Sequence, residues 1–402
     1  MTEKGLNNFF ETFLKKEPLF TDKKVLQSAH TPSEIPHRED QINQIANILA
    51  PALRKDRPSN LFIYGKTGTG KTVCARHTTQ KLREVAKQNG VELDVAYINC
   101  KLSKIADTEY RLIAQLAREF GKEIPVTGLP TGEVYQHFYR AIDDKKRTII
   151  LVLDEVDQLV NKTSDEILYN LTRINSELKN AQISIIGISN DIVFTDHIDP
   201  RVKSSLSEEE IVFPPYNAIQ IQDILKQRIS KAFKPEAVEP GVVEKCAAYA
   251  AKDHGDARRA LELIRVAGEL AERNNESRVT INHLDQAEDK IERDRVVDIV
   301  TTQPQQFKAT LYALISIDKA KQSKILTGDL YSTYQDVCRK TGLRPLTQRR
   351  VSDIIAEFDM LGIINAKVVS NGRYGRTREI SPAIPESIEP KIREIIAKDL
   401  GL

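Results

Sequence analysis

Apolar positions along this chain follow two rhythms. Short continuous runs occur at 61–64, 95–98, 148–153, 183–188 and 209–213, each the length of a strand buried on both faces. Between them, apolar residues recur every third or fourth position. Ile42, Ile45, Ala46, Leu49 and Leu53 share one helical face, and a further helix is expected to open at the capping box Thr163-x-x-Glu166. Buried strands alternating with amphipathic helices predict an α/β fold, a parallel sheet covered on both sides. Pro214-Pro215 closes this block. From Tyr216 to about Asp298 only the helical rhythm remains, broken by turn residues at 234–241 and 253–256, which predicts a small all-helical domain.

Beyond Gln303 the order is helix, helix, helix, hairpin. Residues 329–340 form one helical pattern, closed by Thr341-Gly342. The next, 347–361, places Val351, Ile354, Ile355, Phe358 and Leu361 on one face and Gln348, Arg349, Ser352 and Ala356 on the other. Runs at 363–370 and 374–380 flank Asn371-Gly372, a strong hairpin signal, with Arg373 at the tip and Arg376 and Arg378 on one face of the return strand. Helix-turn-helix plus basic hairpin is the pattern of a winged helix. Its second helix would enter a major groove, and its wing arginines would meet phosphates or the minor groove. Winged helices also serve as protein-binding modules, so charge must decide between the two uses. The expected organisation is an arm over 1–27, an α/β base over 28–215, a helical lid over 216–300 and a winged helix over 301–402.

The net charge of +2 conceals a division. From Thr301 onward sixteen basic residues face eleven acidic ones, and between Arg339 and Arg378 nine face three. This concentration favours a polyanion, duplex DNA, as the partner of the C-terminal part. No apolar run approaches the ~20 residues of a membrane span, and 1–16 lacks an apolar signal core, so no membrane partner is expected. Cys74, Cys100, Cys246 and Cys338 are too dispersed for a zinc pair, and the seven histidines never fall at i,i+4. Buried thiols in a reducing cytoplasm are the expectation.

The sharpest chemical signal is Gly65-Lys66-Thr67-Gly68-Thr69-Gly70-Lys71-Thr72, which follows a strand and precedes a helix. Glycines let backbone N–H groups turn toward a phosphate chain, and the helix N-terminus adds partial positive charge. Lys71 then reaches the β/γ oxygens and the Thr72 hydroxyl ligates Mg²⁺. The strand at 148–153 ends in Asp154 and Glu155, suited respectively to holding Mg²⁺ through its water shell and to orienting the attacking water. The strand at 183–188 leads to Asn190, an amide able to hydrogen-bond that water or a γ-phosphate. Gly255-Asp256 reads as a helix N-terminus with Arg258 in its first turn. A cation there opposes the helix dipole, a cost that a phosphate partner offsets.

Together these motifs resemble the AAA+ ATPases, and within them the archaeal replication initiators related to the eukaryotic origin-recognition complex and its partner loading factor. The resemblance runs from about Leu26 to Ile380. It implies an AAA+ P-loop domain with an all-helical lid and a C-terminal winged helix, binding ATP/ADP with Mg²⁺. It assigns Lys71 and Thr72 to Walker A, Asp154 and Glu155 to Walker B, Asn190 to sensor 1 and Arg258 to sensor 2. Ile35-Pro36-His37-Arg38-Glu39 matches the family's adenine-pocket segment, and the nucleotide contacts are expected to include His37, Arg38, Val73 and Tyr216. Asp199-Pro200-Arg201 matches the box carrying a trans-acting arginine finger, Arg201, supplied to a second initiator subunit. Residues 128–133 resemble the entry to an inserted DNA-touching helix, with Thr131 as its cap. The implied function is slow, switch-like ATP hydrolysis by a cytoplasmic, nucleoid-associated protein. It would bind double-stranded origin DNA and recruit or load the replicative minichromosome-maintenance helicase. Two alternatives remain open at this point: a branch-migration motor, disfavoured by Lys66-Thr67 where such motors usually carry Pro-Pro, and a signalling NTPase whose winged helix does not bind DNA.

Overall fold

The computed structural model describes residues 17–27, 30–101, 108–125, 127–317, 325–370, 376–384 and 388–402. Contacts divide the chain into Met1–Leu284 and Asp285–Leu402. The first unit contains α1 (Glu39–Leu49), β1 (Leu61–Tyr64), α2 (Lys71–Gln88), β2 (Leu93–Asn99), α3 (Glu109–Glu119), α4 (Thr131–Ile142) and β3 (Arg147–Asp154). Next come α5 (Val156–Lys162), α6 (Glu166–Thr172), β4 (Ala181–Ser189), α7 (Phe194–His197), α8 (Pro200–Leu206) and β5 (Glu209–Val212).

The five strands form one parallel sheet in the order β2-β3-β4-β1-β5. Successive side chains on a strand point to opposite faces, so uninterrupted apolar runs feed two cores. Ile149, Leu151 and Leu153 enter the core shared with α3 to α6, whereas Ile150 and Val152 enter the one shared with α1 and α2. Register then sets the site. Tyr64 is level with Ser189, Asp154 with Ile188, and Asn99 with Asp154, so the loops leaving β1, β2, β3 and β4 emerge along one edge.

All five expected strands are present. The capping box at Thr163 is not, and that expectation is corrected. Thr163 is the C-cap of α5, its hydroxyl donates to Leu159 O at 2.8 Å, and α6 begins only after Asp165. A helix over 156–162 claims the threonine before it can cap the next one.

A helical block follows: α9 (Ala218–Ala232), α10 (Val242–Lys252), α11 (Ala257–Asn274) and α12 (Ile281–Thr302). Asn217 and Gln220 form a reciprocal capping box at the start of α9. Residues near the N-terminus of the described chain lie against this block. The Phe20 ring packs 4.5 Å from that of Phe233, directly over Gly268, where a side chain would overlap both rings.

The second unit is built from the end of α12, then α13 (Gln305–Ser316), β6 (Ile325–Leu326), α14 (Thr327–Thr341), α15 (Gln348–Met360), β7 (Ile364–Ser370), β8 (Arg376–Pro382) and α16 (Glu389–Leu400). The strands form an antiparallel sheet in the order β6-β8-β7, with Val368 opposite Arg378. The two-residue β6 carries too little pattern to be read from sequence. The expected turn Asn371-Gly372 lies outside the described residues. Phe358, Ile354 and Val351 pack inward from α15 against Leu311, Leu314 and Tyr334. Gly342, at φ 71°, closes α14 as its sequence position predicts.

Phe358 is 2% exposed and packs edge-on against Phe307. Phe358→Ala should cost about 3–5 kcal/mol. Equilibrium urea denaturation of the full chain would record this as an earlier transition of the C-terminal unit; an unchanged midpoint would contradict the packing.

Candidate functional site

The loop leaving β1 holds φ 74° at Gly68 and φ 94° at Gly70, backbone that L side chains rarely adopt. Close approach adds a second reason for glycine. A Cβ on Gly68 would overlap the Asp256 carboxylate, and one on Gly70 would lie 2.8 Å from the Tyr216 hydroxyl. Lys71 opens α2, is 5% exposed, and its Nζ donates to Gly65 O at 2.6 Å and Lys66 O at 2.7 Å. Thr69 Oγ1 closes the loop on Lys66 O at 2.8 Å. Burial, reinforced by the Arg258 charge, lowers the Lys71 ammonium to about 8, against the pull of Asp154, Asp157 and Asp256.

Asp154 at the end of β3 is the hub of a second cluster. Its Oδ2 accepts the Thr72 hydroxyl at 3.0 Å and the Tyr97 hydroxyl, and its Oδ1 accepts Glu155 N at 3.0 Å. Burial and the neighbouring carboxylate raise the Tyr97 pKa, keeping it a hydroxyl donor, and the Arg76 guanidinium stacks 3.9 Å from its ring centroid. Glu155 sits at φ 56° and is engaged by Asn99 Nδ2 at 3.4 Å and Lys101 Nζ at 3.7 Å. From α5, buried Asp157 reaches the end of β4, accepting Ser189 Oγ at 3.1 Å and Asn190 N at 3.4 Å and so fixing the backbone at the asparagine.

The lid closes on the loop through the first turn of α11. Asp256 caps that helix by accepting Arg258 N at 2.8 Å and Arg259 N at 3.3 Å, and Ala257 N donates to Gly68 O at 3.3 Å. Gly255, at φ 72°, lets the chain pass Tyr216, whose carbonyl a Cβ would strike. The result is a cleft with a cavity volume of about 130 Å³. Gly68, Gly70, Thr72 and Val73 line one side, Ile224, Arg228, Arg258 and Leu261 the other, with Tyr216 and parts of 30–36 between them. Lys71, Thr72, Asp154, Glu155 and Asn190 therefore converge at one sheet edge, with Arg258 above them.

Two expected contacts are placed elsewhere. His37 turns outward to Asp223 Oδ2 at 3.0 Å. Arg38 is 2% exposed and lies beneath the loop, donating to Thr69 O at 2.9 Å and Pro214 O at 2.6 Å, with its guanidinium 3.8 Å from the Tyr216 ring centroid. Neither lines the cleft. Arg38 props the phosphate loop from behind. Conversely, Gln27, His30, Pro32, Ile224, Arg228 and Leu261 line the cleft without having been singled out. Only the return of the chain's start onto α9 brings them together, and no local pattern encodes that.

Arg201 is exposed at the start of α8. Its side chain is clasped by Asp199 at 2.9 and 3.1 Å and lies 5.4 Å from the Tyr169 ring centroid, and the same pairing lowers Asp199 to about 2. Thr131 does not cap α4. Pro130 occupies the N-cap position, which leaves Thr131 as the first helical residue, exposed.

In the second unit Gln348, Arg349 and Ser352 of α15, together with Thr327, Val368, Thr377 and Arg378, line one open groove. Arg378 joins its two sides by donating to Ser352 O at 2.7 Å. Of Arg376 only the backbone is described, and Arg373 lies outside the described residues.

Three family models match in succession: an AAA domain over 54–192, the Cdc6 AAA+ ATPase-type lid domain over 222–289 and the CDC6 C-terminal winged helix domain over 298–388. The fold is thus that of an AAA+ protein with a helical lid and a C-terminal winged helix. The chain is 52% identical to an ORC1-type DNA replication protein of Pyrococcus horikoshii, over 93% of this chain and 90% of that one. It is 48% identical to a second, from Methanosarcina mazei, over 99% and 95%. Its fold is similar to that of the Aeropyrum pernix ORC1 protein solved in complex with DNA, with a TM-score of 0.85, 42% identity and coverage of 96% and 98%. The chain belongs to the family of ORC1-type archaeal DNA replication initiators.

The Asp256 carboxylate supports both the cap and the loop contact. Asp256→Ala should lower stability by about 1 kcal/mol, and Asp256→Asn, which keeps the acceptor oxygen, by much less. Thermal unfolding of the two variants side by side checks this; equal losses would remove capping as the cause.

Proposed function

We propose that this chain is an ATP-switched initiator that binds duplex origin DNA and helps recruit or load the replicative minichromosome-maintenance helicase. The observation that carries the reading is the contact of the α11 N-terminus with the phosphate loop, which puts Arg258 in the same cleft as Gly68, Gly70 and Thr72. A nucleotide in that cleft touches base and lid at once, so its γ-phosphate biases the lid position.

The residues divide the work. Lys71 and the loop amides hold the β and γ oxygens. The paired oxygens of Thr72 and Asp154 suit a hard cation, and they are the residues that hold Mg²⁺, which neutralises phosphate charge when bound. Val73 and Tyr216 contribute walls to the nucleoside end. Glu155 orients the attacking water and Asn190 steadies it, whereas Arg258 donates to the γ-phosphate. In the present arrangement Glu155 is engaged by Asn99 and Lys101, and Arg201 by Asp199. Both must be released before hydrolysis, in accord with a slow switch completed by a second initiator subunit. Gln348, Arg349, Ser352 and Arg378 form the groove that would meet DNA, Arg373 and Arg376 are assigned to the same contact by their place in the sequence, and Thr131 belongs to a second contact from the ATPase domain. That the similar Aeropyrum pernix ORC1 protein was solved in complex with DNA supports the DNA-binding reading.

Three results test the reading. Lys71→Ala should weaken ATP binding by about tenfold or more in calorimetry while leaving DNA affinity without nucleotide intact. Phosphate favours the charged ammonium, so above about pH 8 binding must take up a proton. Affinity should then be level near pH 7.5 and fall by up to about tenfold per unit above pH 8, and Lys71→Arg should flatten that fall. A pH-independent wild type would refute the loop assignment. Arg349→Ala should weaken duplex binding and reduce the salt slope by about one, measured by titration across ionic strength.

A further inference from the structure

Arg228 is a cation of the cleft to which the nucleotide reading gives no task. Arg228, on α9, is 8% exposed and lines the cavity. Among the described residues its NH1 donates to Val25 O at 3.2 Å and no carboxylate pairs with it. Burial alone depresses its pKa. A guanidinium carries five donors and no acceptor, and holding one in a buried pocket with a single neutral partner is costly unless a ligand supplies acceptors.

Position says which part of the ligand that is. Phosphates are met by Lys71 and Arg258 at the loop end. Arg228 stands one turn beyond Ile224 on α9, and the cleft it lines has Ile35, Pro36 and Leu261 among its walls, apolar surfaces suited to a flat ring. His30 lines the same cleft, and burial together with the Arg228 charge lowers its pKa, which favours the neutral imidazole beside Arg228. We propose that Arg228 is the base-reading residue of this cleft, donating to a ring nitrogen of a purine and selecting purine triphosphates by that acceptor. This rests on the nucleotide reading given above.

The test is calorimetric titration of the full chain with ATP, inorganic tripolyphosphate and the 1-, 3- and 7-deaza analogues of ATP. Wild type should bind one deaza analogue about tenfold more weakly than ATP, because one charged hydrogen bond is lost. Arg228→Met should weaken ATP by a similar factor, leave tripolyphosphate unchanged, and no longer distinguish that analogue from ATP. If all three analogues bind wild type as ATP does, the proposal is overturned, and no variant is needed to see it. Parallel loss of ATP and tripolyphosphate in Arg228→Met would overturn it too, by showing that Arg228 acts through Val25 on lid position. A wild type that binds neither ATP nor tripolyphosphate would sink the nucleotide reading itself, a distinguishable failure.

Discussion

One contact conditions the ATPase site: the amide of Ala257, at the head of α11, reaches the carbonyl of Gly68 in the phosphate loop. That hydrogen bond is modest, but steric fit forces the two parts together. Gly68 has no side chain because Asp256 occupies the space, and Gly255 has none because Tyr216 does. Arg258 reaches the cleft because its helix starts there. The same juxtaposition lets the Arg258 charge add to burial in depressing Lys71. On the proposed reading a phosphate chain would stabilise both cations, linking occupancy of the cleft to closure of the lid.

Behind that contact, the residues proposed to act on the nucleotide are each held by neighbours. Asp154 is saturated by hydroxyls from Thr72 and Tyr97, Lys71 donates to loop carbonyls, Glu155 is engaged by Asn99, and Arg201 is clasped by Asp199. Each partner is neutral or exposed, so each bond is weak enough to exchange for phosphate, water or a neighbouring subunit. Such an arrangement suits a protein that changes state upon binding more than one that turns over continuously. The winged helix shows a comparable economy. Arg378, expected on the wing, spends one donor on Ser352 O and thereby fixes the wing to α15, which leaves Arg349 and Gln348 as the exposed groups of the groove.

Most of the architecture could be read from the chain alone, because its signals are local. Continuous apolar runs specified the five strands, Gly342 the end of α14, and Gly255-Asp256 the start of α11. The phosphate loop was recognisable since glycines, lysine and threonine act within eight consecutive positions. Thr163 and Thr131 show where local reading fails: either could have capped a helix, but the preceding helix claims Thr163 and Pro130 holds the N-cap position before Thr131.

What only the tertiary structure decided is the identity of residues that meet from distant segments. Arg38, expected from its motif at the nucleotide, lies beneath the loop, because its length lets it reach Thr69 and Pro214 there. Arg228 carries no local signal in the sequence and is buried because the chain's first described residues fold back over α9. Sequence determines a helix or a loop through backbone preference and periodicity, which are short-range. Which side chain loses its water depends on long-range packing, and burial, more than residue type, sets what a charged group can do.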